Sequence, residues 1–333
     1  MSGTSGPPPA AGAQPAAPPN PAAAQAAARP NPAAQTAAPL DTAAILWMTG
    51  MTMLWGVNAL SIKVVTQGMA PIMATGLRGL LALGVLTVYG LWRGEKLGFC
   101  GADLFHSAVN GLVFALEFSL FYTGARATSA GHIAIFINTA PFFVAIGAHY
   151  LLPGDRMHPV KALGLALALA GIAVMFSNDI LVRHSEQWRG DVLVLGGAML
   201  WGVTTLYAKR YMVHRMTAFR ILYGQILVST PVLLAVSLAL EPDPFFAVTP
   251  VTVGMIVFQA CVAVSFTYLM WTVLLRTYSA SAMQAFTFLT PAWGVLLGVL
   301  VLGEDVQALT VAGIACVGLG IYLVNRPRKR RRG

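Results

Sequence analysis

The pentapeptide Met-Leu-Trp-Gly-Val occurs twice in this chain, at residues 53–57 and at residues 199–203. In each copy a leucine follows three positions later (Leu60, Leu206) and a lysine three after that (Lys63, Lys209). The copies stand 146 residues apart, and the interval holds five apolar stretches long enough to cross a bilayer. An odd number of crossings brings the second copy into the membrane from the opposite face. That is the mark of an inverted-topology repeat, on which many secondary transporters are built.

The membrane reading rests on composition. The chain is 57% hydrophobic and 10% charged, with a mean hydropathy of +0.70, values outside the range of ordinary soluble domains. Ten apolar windows can each span a hydrocarbon core of ~30 Å as a helix: 43–64, 71–92, 104–125, 130–152, 159–177, 191–211, 217–240, 251–275, 280–302 and 306–325. None shows the period-two alternation of a β-barrel strand. The expected fold is therefore all-α and integral to the membrane, ten transmembrane helices forming two inverted five-helix repeats, 43–177 and 191–325. Residues 1–40, rich in Ala and Pro, hold too little apolar bulk to offset their ordering entropy and are expected to be a disordered tail; residues 326–333 form a basic one.

The formal charge of +9 raises the question of nucleic acid, and its distribution answers it. With the amino terminus in the cytoplasm, fifteen of the 21 lysines and arginines fall on the inner side and four on the outer (Lys63, Arg126, Arg183, Arg189); Arg78 and Arg220 lie within spans. This bias places both termini in the cytoplasm. The Arg-Pro-Arg-Lys-Arg-Arg-Arg tail follows a span directly, so it reads as an orientation anchor against anionic lipid and not as a nucleic-acid patch. Cys100, Cys261 and Cys316 match no disulfide or metal spacing, and the six histidines share no ligand spacing, so neither cofactor nor metal is expected.

The repeat continues beyond its opening. Arg126 and Arg276 stand 150 residues apart, each followed by a small-residue pair (Ser129-Ala130, Ser279-Ala280). Ala140-Pro141 matches Thr290-Pro291, and the acidic turn Pro153-Gly154-Asp155 matches Gly303-Glu304-Asp305. Gly164 and Gly171 match Gly313 and Gly320; each pair is seven residues apart, so it shares one helix face where a neighbour can approach closely. On the Trp-Gly of each first helix, the 129–176 run and its counterpart at 279–324, the chain resembles the EamA family of the drug/metabolite transporter superfamily over about residues 43–325. The resemblance implies a carrier of the bacterial inner membrane, often an exporter of amino acids or related small metabolites.

Few ionisable side chains lie deep in the spans, where one costs about 2.5–3.5 kcal/mol to insert. Arg78 stands seven residues into the second span, ~10 Å from the outer face, and Glu117 ~12 Å from that face in the third. At one level on adjacent helices, they can pair with each other for packing alone, or hold the two ends of a zwitterionic substrate such as an amino acid. At the repeat offsets Glu117 maps to Thr267 and Arg78 to Gly224, beside Gln225, so the shared scaffold does not demand these charges. Further candidates for lining a central cavity are Trp55, Asn58, Tyr122, Asn138, Trp201, Thr204, Tyr207, Gln259, Trp271 and Gln284. Pro141 and Pro291, inside their helices, are hinges for alternating access or static kinks. Lys63, Lys209, Arg210 and Arg220 are close enough to span ends to snorkel.

The expected function is a secondary transporter of a small solute, not an enzyme, with the bilayer, anionic lipid at the basic tail and a second copy as a homodimer for partners. An integral-membrane enzyme or scaffold acting on lipid-linked substrates is the alternative. It would need a catalytic cluster at one membrane face, and the loop acids Asp155, Asp179, Glu186 and Asp191 are dispersed in sequence. No Gly-x-x-x-x-Gly-Lys-Ser/Thr motif supplies a nucleotide-driven engine.

Overall fold

A computed structural model of the chain describes residues 38–177, 187–302 and 308–326 together with Gly3, with the backbone path alone from 298 to 302. Expectations for the first 37 residues, the 178–186 loop, the Gly303-Glu304-Asp305 turn and the tail beyond Arg326 lie outside these residues. The first half contains α1 (Thr42–Val65), α2 (Pro71–Arg93), α3 (Gly101–Ala125), α4 (Ala130–Ile137), α5 (Ala140–Leu151) and α6 (Pro159–Met175). The second contains α7 (Gln187–Tyr207), α8 (Ala218–Leu240), α9 (Pro250–Phe258), α10 (Thr267–Thr277), α11 (Ala280–Ala285), α12 (Leu289–Leu302) and α13 (Ala308–Asn325). A π-helical turn, Ala208–Met212, prolongs α7; a π-helical stretch, Gln259–Phe266, joins α9 to α10; a 3-10 turn, Phe286–Phe288, joins α11 to α12.

Taken through these junctions, nine spans among the described residues are long and apolar enough to cross a membrane, and α6, at 17 residues, is a shorter apolar helix. At 1.5 Å per residue α6 reaches ~26 Å, close to a hydrocarbon core, and it makes the tenth crossing. We call the end of the bundle where α1 starts at Thr42 proximal, and the end where α1 finishes at Val65 distal.

Capping chemistry fixes where helices begin. The Asp41 carboxylate accepts the Ala44 N–H at 2.8 Å, and Pro71, Pro159 and Pro250 occupy first turns where no N–H is needed. Ser129 caps α4, and its repeat mate Ser279 caps α11. Both α4 and α11 are short, because the fourth and ninth spans are interrupted. The interruption falls at Asn138-Thr139 in one and at the 3-10 turn in the other, so Pro141 and Pro291 stand in the first turn of α5 and α12. The sequence reading placed them inside continuous helices. The break comes earlier because proline has no N–H for the carbonyl four residues before it and its ring clashes with that carbonyl, here Ile137 and Thr287.

The last span of each half meets its mate. A Cβ on Gly164 would lie 2.7 Å from the Gly320 carbonyl oxygen, and one on Gly171 2.6 Å from that of Gly313. Low numbers on α6 face high numbers on α13, so the two run antiparallel, as an inverted repeat requires. The first spans repeat the device on another scale. A Cβ on Gly56 would meet Trp293 Cβ at 2.9 Å and one on Gly202 would meet Phe143 Cβ at 3.0 Å, which are equivalent positions of the ninth and fourth spans. Gly124 of α3 and Gly190 of α7 are as close: a Cβ on Gly124 would lie 2.7 Å from the Gly190 carbonyl oxygen. Without a hydrophobic force between helices in lipid, such backbone approaches supply the dispersion contacts that hold the bundle.

Candidate functional site

The two tryptophans of the repeated motif meet edge-to-face at the pseudo-two-fold axis, with Trp55 and Trp201 ring centroids 6.3 Å apart. Trp55 also lies 5.7 Å from Trp271 and 6.2 Å from Tyr268, and its Nε1–H donates to Thr267 Oγ1 at 2.8 Å. An amphipathic ring held mid-membrane by a hydrogen bond is rigid, which suits a wall of a binding site.

Glu117 of α3 is buried opposite α7. The Thr204 hydroxyl stands 3.0 Å from its Oε2 and 2.9 Å from the Leu200 carbonyl oxygen. One hydroxyl proton serves two acceptors, so among the described residues the carboxyl group is held by a single shared donor. Arg78 of α2, 3% exposed, places its guanidinium 4.8 Å from the Phe118 ring centroid and 5.8 Å from that of Tyr122. Among the described residues no ion pair joins Arg78 to Glu117; the two charges sense each other across the next residue on α3 without contact. An aromatic row (Phe114, Phe118, Tyr122) runs along α3, with Tyr268 6.2 Å from Phe114.

The repeat explains the asymmetry of this centre. Thr204 is the mate of Asn58, and Glu117 of Thr267. The Thr204 hydroxyl faces the Glu117 carboxyl group, whereas in the pseudo-symmetric pair Thr267 is taken up by Trp55, and Asn58 Oδ1 is buried without a hydrogen-bond partner among the described residues. Gly224, the mate of Arg78, has no room for a side chain, since a Cβ there would lie 2.5 Å from Ser107 Oγ. Its neighbour Gln225 accepts from Asn110 at 3.2 Å.

Of the residues singled out in the sequence, the structure brings together Trp55, Trp201, Trp271, Glu117 and Thr204, with Arg78 and Tyr122 joined through Phe118. Asn58 follows Trp55 by three positions and shares its helix face. Four others do not join. Tyr207 bonds His106 Nδ1 at 2.7 Å near the proximal end; Gln259 donates to Ser61 at 2.9 Å; Asn138 donates to the Ala134 carbonyl oxygen at the break between α4 and α5. Gln284 is wholly buried in α11 with both amide atoms unpartnered among the described residues. Tyr268 and Phe118 were overlooked, although the 150-residue offset pairs them with each other and the same offset had singled out Thr267.

Three groups depart from the bland roles their positions suggested. Lys209 does not snorkel: it is 9% exposed, and its ammonium donates to the Leu275 and Tyr278 carbonyl oxygens. Arg220 lies over the Phe99 ring at 4.9 Å and reaches the Lys96 and Gly98 carbonyl oxygens and Asp103. Asp155 is no isolated loop acid. It is buried against Lys161 Nζ at 2.7 Å and accepts both the Ser281 backbone N–H at 3.1 Å and the Ser281 hydroxyl. Burial alone would raise its carboxyl group, but the Lys161 ammonium and these hydrogen bonds outweigh it and hold it below its ordinary 3.8. At the distal end Asp191 takes the same part, accepting from Thr128 at 2.5 Å and pairing with His132 Nδ1 at 2.9 Å. Among the described residues no three His, Cys, Asp or Glu side chains converge as metal ligands would.

The model of the EamA-like transporter family matches residues 42–177 and 188–326. The chain is 23% identical over 293 residues to "Uncharacterized transporter YoaV" of Bacillus subtilis (strain 168), covering 86% of this chain and 98% of that one. It is 24% identical over 295 residues to a protein of Escherichia coli (strain K12) named "Probable amino-acid metabolite efflux pump", covering 82% and 91%. A solved crystal structure superposes with a TM-score of 0.73 at 18% identity over 85% of this chain and 97% of that chain, a likeness of fold. The two matched segments together span nearly all of the helical bundle, and the chain belongs to the EamA-like transporter family.

Proposed function

We propose that this membrane transporter is a secondary carrier exporting amino acids, or other small polar metabolites of that charge pattern, across the bacterial inner membrane by alternating access. The observation that carries this reading is that Arg78 and Glu117 are both buried and do not use each other. A buried charge pair repays its desolvation only through close geometry and full hydrogen bonding, and here neither is present. A solute bearing an ammonium and a carboxylate completes both: the ammonium against Glu117 and Thr204, the carboxylate on the Arg78 fork, the remainder against the aromatic rings of Trp55, Trp201 and Trp271. The E. coli relative's name points to the same solute class. The lysine and arginine distribution puts the proximal end, with both termini, in the cytoplasm.

The test is solute flux in proteoliposomes without nucleotide, over a panel of amino acids and their uncharged amides and esters. Glu117→Gln and Arg78→Met variants that insert normally are expected to lose about tenfold or more, since a hydrogen bond to a charged group contributes ~1.5–3 kcal/mol. Unaltered rates and preferences in both would return the pair to helix packing.

A further inference from the structure

The two halves share a sequence pattern but not a conformation, and they differ where their repeated lysines and arginines stand. In the second half α7 ends in the π-helical turn Ala208–Met212, which carries Lys209 into the bundle. There its ammonium donates to the carbonyl oxygens of Leu275, at the end of α10, and of Tyr278, just beyond it. Arg276, on the same turn, donates to the Met216 carbonyl oxygen at 2.7 Å. The proximal turn between the eighth and ninth spans is thus clamped to the end of the sixth span and the start of the seventh. Cations on the last carbonyls of a helix also oppose its dipole.

In the first half the mates of these residues are Lys63, at the distal end of α1, and Arg126, just past α3. Both are exposed, and among the described residues neither side chain makes a hydrogen bond or ion pair. The backbone differs as well: α1 runs as regular α-helix through Lys63, and α3 is unbroken over the positions matching the π-helical stretch Gln259–Phe266. Single π-helical turns inside α-helices recur at functional sites. Here they mark the half whose clamp is engaged.

Inverted repeats alternate access when each half takes up the conformation of the other. We propose that Lys63 and Arg126 form the second, distal clamp of this carrier. When the proximal clamp of Lys209 and Arg276 releases, Lys63 swings onto the carbonyl oxygens of Ala125 and Thr128, and Arg126 onto the Met69–Ala70 link. These acceptors are the repeat mates of Leu275, Tyr278 and Met216. The structure is then the state shut at the proximal end, and the four basic residues are positioning residues for the conformational step, none of them touching solute. The inference rests on the alternating-access reading above.

The experiment cross-links the distal face in a background with Cys100, Cys261 and Cys316 replaced by serine. Gln67→Cys and Ala127→Cys, both exposed positions beside the predicted clamp, are joined by a short bis-maleimide in proteoliposomes. With native Lys209 the yield is expected to be low. Lys209→Ala, or Arg276→Gln should the first fold poorly, is expected to raise it about fivefold or more, the size of a population shift that one lost contact brings. Adding Lys63→Ala is expected to cancel that rise, and adding Lys63→Arg to preserve it. A yield indifferent to Lys209 and Arg276, or a rise that survives Lys63→Ala, overturns the distal clamp. Either result in a protein that still moves solute leaves the carrier reading standing, whereas absent flux removes that reading first.

Discussion

Two glycines of α13, two residues apart, are expected to respond with opposite sign to the same substitution. A Cβ on Gly320 would lie 2.5 Å from the Gly164 carbonyl oxygen, 2.7 Å from Ala168 N and 2.8 Å from Ala168 Cβ, whereas one on Gly318 would meet nothing within 4 Å. Ordinary contact begins at 3.4 Å, so Gly320→Ala forces α6 and α13 apart by up to 3.4 − 2.5 = 0.9 Å. A gap of that size forfeits roughly a quarter to a half of each dispersion contact along the crossing. Overpacking of this kind costs ~1–3 kcal/mol, partly offset by the ~1 kcal/mol that alanine gains over glycine in a helix. Gly318→Ala collects that gain alone. The two variants should therefore differ by about the whole packing cost, roughly 1–3 kcal/mol, with wild type between them. Thermal unfolding in one detergent, followed by monodispersity, is a sufficient assay. The double variant Gly164→Ala with Gly320→Ala should cost less than the sum of its parts, because helices already parted by one methyl group admit the second. Equal stabilities for Gly318→Ala and Gly320→Ala would refute the antiparallel glycine crossing, and with it the inverted pairing of the halves.

Thr204→Val leaves Glu117 buried without its donor and is expected to cost ~1–3 kcal/mol and to lower flux, with Thr204→Ser restoring both. Trp55→Phe removes the donor to Thr267 and should cost ~0.5–1.5 kcal/mol in thermal stability; no change would mean that this ring is not fixed by its hydrogen bond. Asp155 titrates below its ordinary 3.8, so its contribution is complete above that value and drains as pH falls through the lower folded one. Asp155→Asn, which leaves the Lys161 ammonium without its counter-charge, should cost about 3–5 kcal/mol at neutral pH. That difference from wild type should narrow as pH falls below 3.8, toward the lower folded value at which the native carboxyl group protonates too. A gap independent of pH would assign the loss to shape and not charge.

Much of the architecture was legible because lipid leaves so few options. A chain that must satisfy its backbone internally declares its spans by length and apolarity, and among the described residues all ten windows became apolar helices close to the stated limits, nine of them long enough to cross a membrane. The glycine pairs were legible for a similar reason, since close approach in a membrane has few substitutes. What stayed hidden depends on partners remote in sequence. Asp155 meets Ser281 across 126 residues. Lys209 faces inward only because a π-helical turn, which no periodicity announced, rotates the end of α7. Tyr207 stands three residues beyond Thr204 and looked equivalent to it, yet α7 carries it toward the proximal end, where His106 claims its hydroxyl.

The repeat itself separates scaffold from site more sharply than depth or polarity does. Positions alike in both halves, such as Gly56 with Gly202 and Gly164 with Gly313, set how closely helices pack. Positions that differ cannot be required by that packing, because the other half builds the same bundle without them. Glu117 against Thr267 and Arg78 against Gly224 are the differences that bury a charge in one half only, each paid for in desolvation that a threonine or glycine escapes. Ser107 of α3 fills the space opposite Gly224, so an arginine there would have no room. A carrier built from two near-copies needs symmetry to alternate and asymmetry to recognise a solute whose ends are unlike. A dipolar substrate, positive at one end and negative at the other, is the simplest molecule that would make both charges worth keeping in only one half.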